Sequence, residues 1–325
     1  MFAATRPVKL AGSHDDGPAM RLNAPALSLL ASALLLAACK PTTPADAPAT
    51  VAGPAATTPA QAPAATDPSD NLNAVLWIQR SEEYHANSLS IFRAAADQLD
   101  RAIAEQNWDA LVPEERALIG DATALPPAVI MDIDETVLDN SPYQARLIQN
   151  GLEYDEVTWA QWVAEQKAKP VPGVLEFARA AEAKGVTILY LSNRAQHLQE
   201  ATLANLRAEG LPVKDESVFL GLGMHVEGCE QHGSEKTCRR RVAGRDYRVL
   251  MQFGDQLGDF VDILANTPEA RGELLDTYGD WFGERWWMLA NPSYGGWEPA
   301  RFNNAWDQPA GARREAKRAA LELAN

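Results

Sequence analysis

The clearest indication of the fold class is the stretch Ala128-Val129-Ile130-Met131-Asp132-Ile133-Asp134-Glu135-Thr136, in which a short apolar run passes directly into acidic residues. Short apolar runs bounded by turn signals, here the preceding Leu125-Pro126-Pro127, are typical of strands buried on both faces of a parallel sheet. Ligands of such sheets bind beyond the carboxyl ends of the strands. Asp132 and Asp134 are therefore candidates for chemistry.

The rest of the chain alternates between strand and helix patterns. Four further apolar runs predict strands at residues 186–191, 217–220, 247–253 and 284–289. Helices are predicted between them, from Pro172-Gly173 to about Lys184 and over about residues 196–209. Apolar residues at helical spacing predict one or two helices over residues 71–107. This alternation predicts an α/β fold with a parallel sheet and helices on both faces.

Composition excludes several classes of protein. The 325 residues carry 29 Lys and Arg against 44 Asp and Glu, a formal net charge of −15. We do not expect a nucleic-acid polymer as partner, because phosphate backbones are bound by clustered Lys and Arg. Hydrophobic residues make up 46% of the chain, which predicts a globule. The three Cys are too few for a disulfide scaffold or a four-Cys zinc site.

Residues 1–70 have the composition of a leader and a linker. An apolar run of signal-peptide length ends at Leu36-Ala37-Ala38-Cys39, which resembles a bacterial lipobox. We interpret residues 1–38 as a signal peptide and Cys39 as the lipidated residue. The alternative is an ordinary secretory signal with an incidental Cys. Met20 is a second candidate start, so the preceding residues are either a mis-assigned start or an extended n-region.

The segment that follows the lipobox predicts attachment to a membrane through a spacer. Residues 39–70 are rich in Ala, Pro and Thr, which predicts an extended linker. A lipid anchor, a spacer and a globule predict a lipid-anchored extracytoplasmic protein, and Lys40 favours the outer membrane. In an oxidising compartment, Cys229 and Cys238 either close a short disulfide loop or remain free thiols.

Two carboxylates stand two residues apart at the predicted end of the first strand. Asp132 and Asp134 would repel each other unless a cation or a shared proton relieved them. One Asp can attack phosphorus, and the other can act as general acid and then as general base. An acidic turn that only caps a helix is the alternative.

The ends of the second and fourth predicted strands add polar groups. The second ends in Leu191-Ser192-Asn193-Arg194, where a hydroxyl can bind a phosphoryl oxygen, although Ser and Asn are also ordinary helix caps. In the segment after the fourth, Asp255 and Asp259 lie on one side of a helical turn. Together with Asp132 they predict a cluster of hard oxygens suited to Mg²⁺, and the alternative is that they only cap a helical turn.

A basic segment, Ser234-Glu235-Lys236-Thr237-Cys238-Arg239-Arg240-Arg241, precedes the fourth strand. Lys236 can neutralise the charge of a phosphoryl group in the transition state. Lys214 is a rival for this role. We interpret the run of three Arg as a solvated helix face.

The order of these motifs is more specific than any one of them. D-x-D-E-T, S-N-R, a Lys and G-D-x-x-x-D, in this order, resemble the haloacid dehalogenase superfamily of aspartate-nucleophile phosphatases. Residues 130–143 and 250–260 resemble the two signatures of the class C bacterial acid phosphatases. Leu250 and Gln256 depart from the second signature, but neither is an expected metal ligand. The resemblance extends from about residue 71 to residue 297.

The resemblance implies a Rossmann-like sheet flanked by helices, the haloacid dehalogenase fold. We expect an acid phosphatase domain over residues 71–310 and a helical tail over residues 311–325. Within the domain, the sheet core would comprise about residues 125–135 and 170–297. A smaller, mainly helical subdomain would comprise about residues 71–124 and 140–170. Members of the family are typically outer-membrane lipoproteins, in agreement with the lipobox.

The resemblance also implies roles for the acidic residues. Asp132 would attack phosphorus and form an aspartyl-phosphate, while Asp134 would protonate the leaving oxygen and then activate water. Mg²⁺ would be held by the carboxylate of Asp132, the backbone carbonyl of Asp134, and Asp255. Asp259 would orient the phosphate-binding lysine or a metal-bound water.

The same resemblance assigns residues that bind the substrate. Ser192 and Lys236 would hold the phosphoryl oxygens, with Asn193 in support. In family members that act as 5′-nucleotidases, residues matching Trp159 and Tyr294 sandwich the nucleoside base. The alternative for such rings is core packing, which we assign to Trp162.

We therefore expect a Mg²⁺-dependent acid phosphatase that hydrolyses small phosphomonoesters, with 5′-nucleotides as the expected substrates. A broad-specificity phosphomonoesterase without base preference is the nearest alternative. The second alternative is a non-catalytic lipoprotein that binds a ligand such as haem, although no His lies in a recognisable axial-ligand motif. An acidic pH optimum is expected, because Asp134 must be protonated when Asp132 attacks.

Overall fold

A parallel sheet forms the centre of the structure, a computed structural model that describes residues 70–324. The strands are β1 Pro127–Met131, β2 Leu138–Asp139, β3 Lys169–Pro170, β4 Thr187–Ala195, β5 Phe219–Leu222, β6 Arg248–Gly254 and β7 Trp286–Met288. The main sheet has the order β5-β4-β1-β6-β7 with all pairs parallel, and β2 pairs with β3 in antiparallel orientation. The predicted α/β fold class is confirmed.

Each of the five predicted strands differs from the observed one by at least one residue at an end, and two of these differences are described here because of their cause or their effect on the site. The third was predicted from Ser217, but β5 begins at Phe219 because Asp215 accepts a hydrogen bond from the backbone N–H of Ser217 (2.8 Å) and holds a turn there. The second was predicted to end at Leu191, but β4 continues to Ala195. Ser192 consequently lies within a strand, which limits the freedom of its side chain.

Helices cover the sheet. They are α1 Leu72–Arg80, α2 Glu82–Ala104, α3 Pro113–Ala117, α4 Ser141–Asn150, α5 Glu156–Glu165, α6 Val174–Ala183, α7 Gln199–Ala208, α8 Thr237–Asp246, α9 Pro268–Tyr278 and α10 Ala310–Ala319. The predicted helical region 71–107 is divided at Ser81, whose extended backbone ends α1 and whose hydroxyl caps α2 by accepting from the N–H of Tyr84 (3.1 Å). Among the described helices, none is long and apolar enough to cross a bilayer.

The helices and the sheet share one hydrophobic core. Phe92 of α2 stacks on Phe253 of β6 at 5.3 Å between ring centroids, and it contacts Phe177 of α6 at 5.9 Å. Trp159 and Trp162 of α5 belong to the same buried cluster. The segments predicted as a helical subdomain, 71–124 and 140–170, therefore contribute to the core of the sheet. The predicted leader, the predicted lipidation site Cys39 and most of the predicted linker lie outside the described residues.

The strand order brings the predicted motifs to one edge of the sheet. β1 lies between β4 and β6, so the segments that follow the first, second and fourth predicted strands meet at their carboxyl ends. The backbone N–H of Asp132 donates to the carbonyl of Phe253 (2.9 Å), which continues the β1–β6 pairing past the end of β1. The backbone of Asp132 is therefore hydrogen-bonded to β6 in the same way as the residues of β1.

Candidate active site

Lys236 joins two acidic side chains at the carboxyl edge of the sheet. Its ammonium group donates to Oδ1 of Asp132 (2.5 Å) and to Oδ1 of Asp259 (2.7 Å), and all three side chains are buried. Burial acts against the charged form of the lysine, but the two carboxylates raise its pKa above the ordinary value. Lys236 is therefore cationic and neutralises part of the acidic charge.

Asp255 completes an acidic cluster around this lysine. Asp132, Asp255 and Asp259 each offer one carboxylate oxygen, and these oxygens lie within 4.8 Å of one another. Burial, opposed by Lys236 but reinforced by the other carboxylates, raises the pKa of Asp132 to about 7. Burial, reinforced by the carboxylates of Asp259 and Asp132, raises the pKa of Asp255 well above its ordinary value. One lysine does not compensate three carboxylates, so the donor set fits a divalent cation with oxygen ligands.

Gly254 allows Asp259 to approach the end of β6. A Cβ atom at this position would lie 2.3 Å from Oδ2 of Asp259, too close for any other residue. The same Oδ2 accepts a hydrogen bond from the backbone N–H of Gln256 (2.9 Å), which closes the turn after the strand. Gln256, a departure from the family signature, donates to Oδ2 of Asp255 (3.4 Å), and so does Asn291 (2.8 Å). These contacts fix the orientation of Asp255 and Asp259.

The second carboxylate of the motif, Asp134, lies in a separate polar network. Its Oδ1 accepts hydrogen bonds from Nε of Arg194 (2.9 Å) and from Nδ2 of Asn140 (2.8 Å). The hydroxyl of Ser192 lies 3.5 Å from its Oδ2. Arg194 is 1% exposed and forms an ion pair with Asp134, so the side chain of Asp134 is held at the edge of the site. The sequence predicted no role for Arg194 or for Asn140, although Arg194 follows Ser192-Asn193 directly and Asn140 lies within the first signature, residues 130–143.

Glu135 supports the loop between the two aspartates and the next element. Its backbone is in the left-handed region at φ 58°, which is uncommon for a residue other than glycine. Its buried carboxylate accepts hydrogen bonds from the backbone N–H of Asn140 (3.0 Å) and from the hydroxyl of Tyr294. Burial and nearby carboxylates raise its pKa well above the ordinary value. Sequence reasoning gave Glu135 no role, because its partner is remote in the chain.

The structure separates the two candidate lysines. Lys236 contacts Asp132 and Asp259, as described above. Lys214 is exposed and lines a shallow cavity beside Thr187, the first residue of β4, at the amino end of the sheet. Only Lys236 is therefore in position to act with Asp132.

The prediction that the Arg run forms a solvated helix face was wrong. Arg239 and Arg240 of α8 are both 0% exposed. Arg240 forms a bidentate ion pair with Glu115, with Nη2 to Oε1 at 2.6 Å and Nε to Oε2 at 3.0 Å. Arg239 donates to the side-chain oxygen of Asn193 (2.8 Å) and to backbone carbonyls. A charged run predicts a solvated face only where no distant group compensates the charge.

The two aromatic residues predicted to stack a base each contact a side chain next to Asp134. The guanidinium carbon of Arg194 lies 5.5 Å from the ring centroid of Trp159, which is also packed against Tyr143 at 5.2 Å. Trp159 is 8% exposed. Tyr294 is half-buried and its hydroxyl contacts Glu135. Trp162, predicted as core, is buried and donates from Nε1 to Asn140 (2.8 Å).

Cys229 and Cys238 are joined by a disulfide with a Cα–Cα distance of 5.6 Å. The bond closes a loop that contains Lys236, two positions before Cys238. Nη1 of Arg241 lies 3.3 Å from Sγ of Cys229. The disulfide thus joins the two ends of the loop that carries the lysine, and its second cysteine, Cys238, lies in the first turn of α8.

Comparison with known protein families agrees with this geometry. The family described as "HAD superfamily, subfamily IIIB (Acid phosphatase)" matches residues 49–297. A class C acid phosphatase from Bacillus anthracis has a similar structure, with a TM-score of 0.67 and 28% sequence identity over 78% of this chain and 98% of that one. A second structure of that enzyme, with tungstate bound, matches equally well.

Curated relatives are more distant. Acid phosphatase 1 of Solanum lycopersicum is 26% identical over 133 residues, which is 41% of this chain and 51% of that protein. A stem 31 kDa glycoprotein of Glycine max is 26% identical over 166 residues, which is 51% of this chain and 58% of the relative. The chain thus spans somewhat more than half the length of each of these two relatives.

Proposed function

The chain belongs to the haloacid dehalogenase superfamily, subfamily IIIB, the acid phosphatases, and on this premise we propose that it hydrolyses small phosphomonoesters through an aspartyl-phosphate. Membership of this family supports phosphoric monoester hydrolase activity. One observation carries the proposal for this chain: Asp132, at the end of β1, is buried against Lys236 and beside two further carboxylates. A nucleophile, a cation and metal-ligand oxygens therefore stand within one small volume.

The first step is attack by Asp132 on phosphorus. A carboxylate oxygen of Asp132 forms a bond to phosphorus as the bond to the ester oxygen breaks. Lys236 lies against Asp132, where it stabilises the ionised carboxylate and the negative charge of the phosphoryl oxygens. Asp134 donates its proton to the leaving oxygen, which departs as an alcohol.

The second step returns the enzyme to its starting state. Asp134, now ionised, accepts a proton from water as the water oxygen attacks phosphorus. The bond from phosphorus to Asp132 breaks, and inorganic phosphate leaves. Arg194 and Asn140 hold Asp134 in one orientation, so the same carboxylate serves as acid and then as base.

We assign Mg²⁺ as the cofactor because the donors are hard oxygens. Asp132, Asp255 and the backbone carbonyl of Asp134 would hold the ion, while Asp259 is engaged by Lys236. When bound, the ion supplies a Lewis acid that neutralises charge on the phosphoryl group. The unbalanced carboxylates of the cluster support this assignment.

The proposed substrates are 5′-nucleotides. Trp159 packs against Arg194, and Arg194 binds the carboxylate of Asp134. The hydroxyl of Tyr294 donates to Glu135, the residue that follows Asp134. Two aromatic rings near the catalytic loop can bind a base by stacking, which contributes about 1–3 kcal/mol per base. The alternative, a phosphatase without base preference, would not need either ring.

The test is phosphate release from AMP and from p-nitrophenyl phosphate, with EDTA and with added Mg²⁺. We expect wild type to hydrolyse both esters, to prefer AMP, to lose activity in EDTA and to recover it with Mg²⁺. Asp132→Asn should abolish release, whereas the exposed-site control Asp121→Asn should not. Wild-type inactivity on both esters would refute the enzyme proposal, and haem binding by that inactive protein would favour the ligand-binding alternative.

We propose in addition that Cys39 anchors the enzyme to the outer membrane. The support is the sequence Leu36-Ala37-Ala38-Cys39 and the Pro-rich segment after it. In a bacterial host, wild type should incorporate labelled fatty acid and fractionate with outer membranes. Cys39→Ser should do neither. Recovery of unlabelled wild type in the soluble fraction would contradict the anchor.

A further inference from the structure

The side chain of Arg239 joins two separate parts of the active-site edge. Nη1 donates to the backbone carbonyl of Ser192 (2.5 Å), in β4. Nη2 donates to the backbone carbonyl of Glu235 (2.8 Å), and the carbonyl of Ser234 lies at 3.3 Å. Glu235 is the residue immediately before Lys236. One guanidinium therefore binds the main chain next to both groups assigned to the phosphoryl oxygens.

Further contacts fix the guanidinium itself. Nη2 also donates to Oδ1 of Asn193 (2.8 Å), and the carbonyl of Leu220 in β5 lies 3.4 Å from Nη1. The acceptors thus come from β4, from β5 and from the disulfide-closed loop. A planar group with donors in fixed directions sets the spacing between the elements it binds.

Arg239 and Arg240 are both buried cations, but different groups accept their hydrogen bonds. Arg240 is paired with the carboxylate of Glu115, whereas the hydrogen-bond acceptors of Arg239 are carbonyl and amide oxygens. Burial lowers the pKa of Arg239 to about 10, and the side chain remains charged at neutral pH. The carboxylates of Asp132 and Asp259 favour its charged form, so Arg239 and Lys236 are two cations beside the same acidic side chains.

We propose that Arg239 is a positioning residue, which sets the separation between the Ser192 hydroxyl and the Lys236 ammonium and so shapes the pocket for the phosphoryl group. The inference rests on the proposed function, which assigns those two groups to the phosphoryl oxygens. Arg239 acts through the backbone of β4 and of the loop, and the phosphate specificity of the site depends on it. Its effect is the same for every phosphomonoester.

A lysine cannot reproduce this arrangement. The two terminal nitrogens of Arg239 bind Ser192 and Glu235 in directions fixed by one planar group, whereas lysine offers a single nitrogen on a flexible chain. Arg239→Lys preserves the charge and removes the bridge. Displacements of about 1 Å at a reacting group can reduce rates by about a hundredfold, so loss of the bridge should be measurable.

Arg248 provides a matched control. It is also a buried arginine, and its terminal nitrogens donate to backbone carbonyls, with Nη1 to Glu105 at 2.7 Å and Nη2 to Ile103 at 2.9 Å. It begins β6, at the amino end of the sheet. Arg248→Lys therefore removes a similar set of hydrogen bonds away from the active site.

The experiment compares wild type, Arg239→Lys and Arg248→Lys. For each protein, kcat and KM are measured with AMP and with p-nitrophenyl phosphate, together with the inhibition constant of inorganic phosphate and the thermal midpoint. Arg239→Lys should raise KM for both esters and the phosphate inhibition constant by at least about tenfold. Arg248→Lys should change them less than about twofold, with a similar fall in thermal midpoint. Equal kinetic effects in the two variants would refute the positioning role.

Two measurements keep this test independent of folding and of the proposed function. Calorimetric binding of inorganic phosphate in Mg²⁺ makes the same comparison without turnover, so an inactive wild type would refute the enzyme proposal alone. If Arg239→Lys does not fold, Arg239→Gln, whose amide can donate to only one of the two backbone carbonyls, is compared with Arg248→Gln in the same way. Weaker phosphate binding in Arg239→Gln than in Arg248→Gln supports the inference, and equal binding in the two variants refutes it.

Discussion

The ammonium nitrogen of Lys236 lies 2.5 Å from Oδ1 of Asp132, although 104 positions separate the two residues in the chain. The contact joins the end of β1 to the start of α8 inside a cluster of carboxylates. The lysine compensates only part of the acidic charge, and this imbalance leads to the first prediction.

The stability of the metal-free protein should fall as pH rises. The pKa of Asp132 is raised to about 7, and the pKa values of Glu135 and Asp255 are raised well above ordinary, in each case chiefly by burial. The folded state therefore binds more protons than the unfolded state between about pH 4 and about pH 7, so the free energy of unfolding decreases with pH there. Asp132 alone would account for up to about 4 kcal/mol.

Thermal midpoints measured in EDTA from about pH 5 to about pH 8 test this prediction. The midpoint should fall with pH in EDTA, and added Mg²⁺ should raise it most at the alkaline end, because a bound cation favours the ionised carboxylates. Asp132→Asn should flatten the EDTA profile. A midpoint that rises through this range in EDTA would contradict the pKa directions.

Glu115→Gln should destabilise the fold without a large change in substrate binding. Its carboxylate pairs with Nε and Nη2 of Arg240, and both side chains are buried. Removing one partner of a buried ion pair leaves the other charge uncompensated, at a cost of about 3–5 kcal/mol. Urea unfolding measures the loss. The adjacent exposed Glu114→Gln is the control, and equal stability of the two variants would show that the pair contributes nothing.

Opening the disulfide should affect both stability and KM. Closing a short loop between Cys229 and Cys238 stabilises a fold by about 2–3 kcal/mol in the chain-entropy description. Because Lys236 lies inside the loop, the double variant Cys229→Ser/Cys238→Ser should also raise KM several-fold. Wild type treated with a thiol reductant should behave in the same way, and the double variant should not respond to the reductant. A reductant effect of equal size on both proteins would exclude the disulfide as its cause.

Trp159→Phe should separate base stacking from core packing. Trp159 is packed against Tyr143 and under Arg194, so Trp159→Ala would create a cavity and confuse the two roles. With the smaller ring, kcat/KM for AMP should fall about tenfold, as expected for loss of about 1.4 kcal/mol of stacking, while p-nitrophenyl phosphate changes little. The control is Trp162→Phe, which loses a bond to Asn140 and should affect both esters alike. Equal losses for both esters in Trp159→Phe would assign that ring to the core.

The sequence by itself predicted the five strands of the main sheet, although not their order, and the acidic residues at its carboxyl edge. A short apolar run indicates a strand that is buried on both faces. The residue that follows such a strand in a parallel sheet lies at the edge where ligands bind, and this does not depend on which strands are its neighbours. Asp132, Asp134 and Asp255 could therefore be placed without a structure. The strand ends were less accurate, because a local hydrogen bond such as that of Asp215 moves a boundary by a few residues.

Only the tertiary structure decided how the basic residues are used. Lys214 and Lys236 look alike in sequence, but one lies beside the amino end of β4 and the other contacts Asp132. Arg240 is buried because Glu115, 125 positions away, compensates its charge, and Arg239 because carbonyls of separate strands accept its hydrogen bonds. The burial of a charge depends on its partners, and a local pattern records the charge but not the partner.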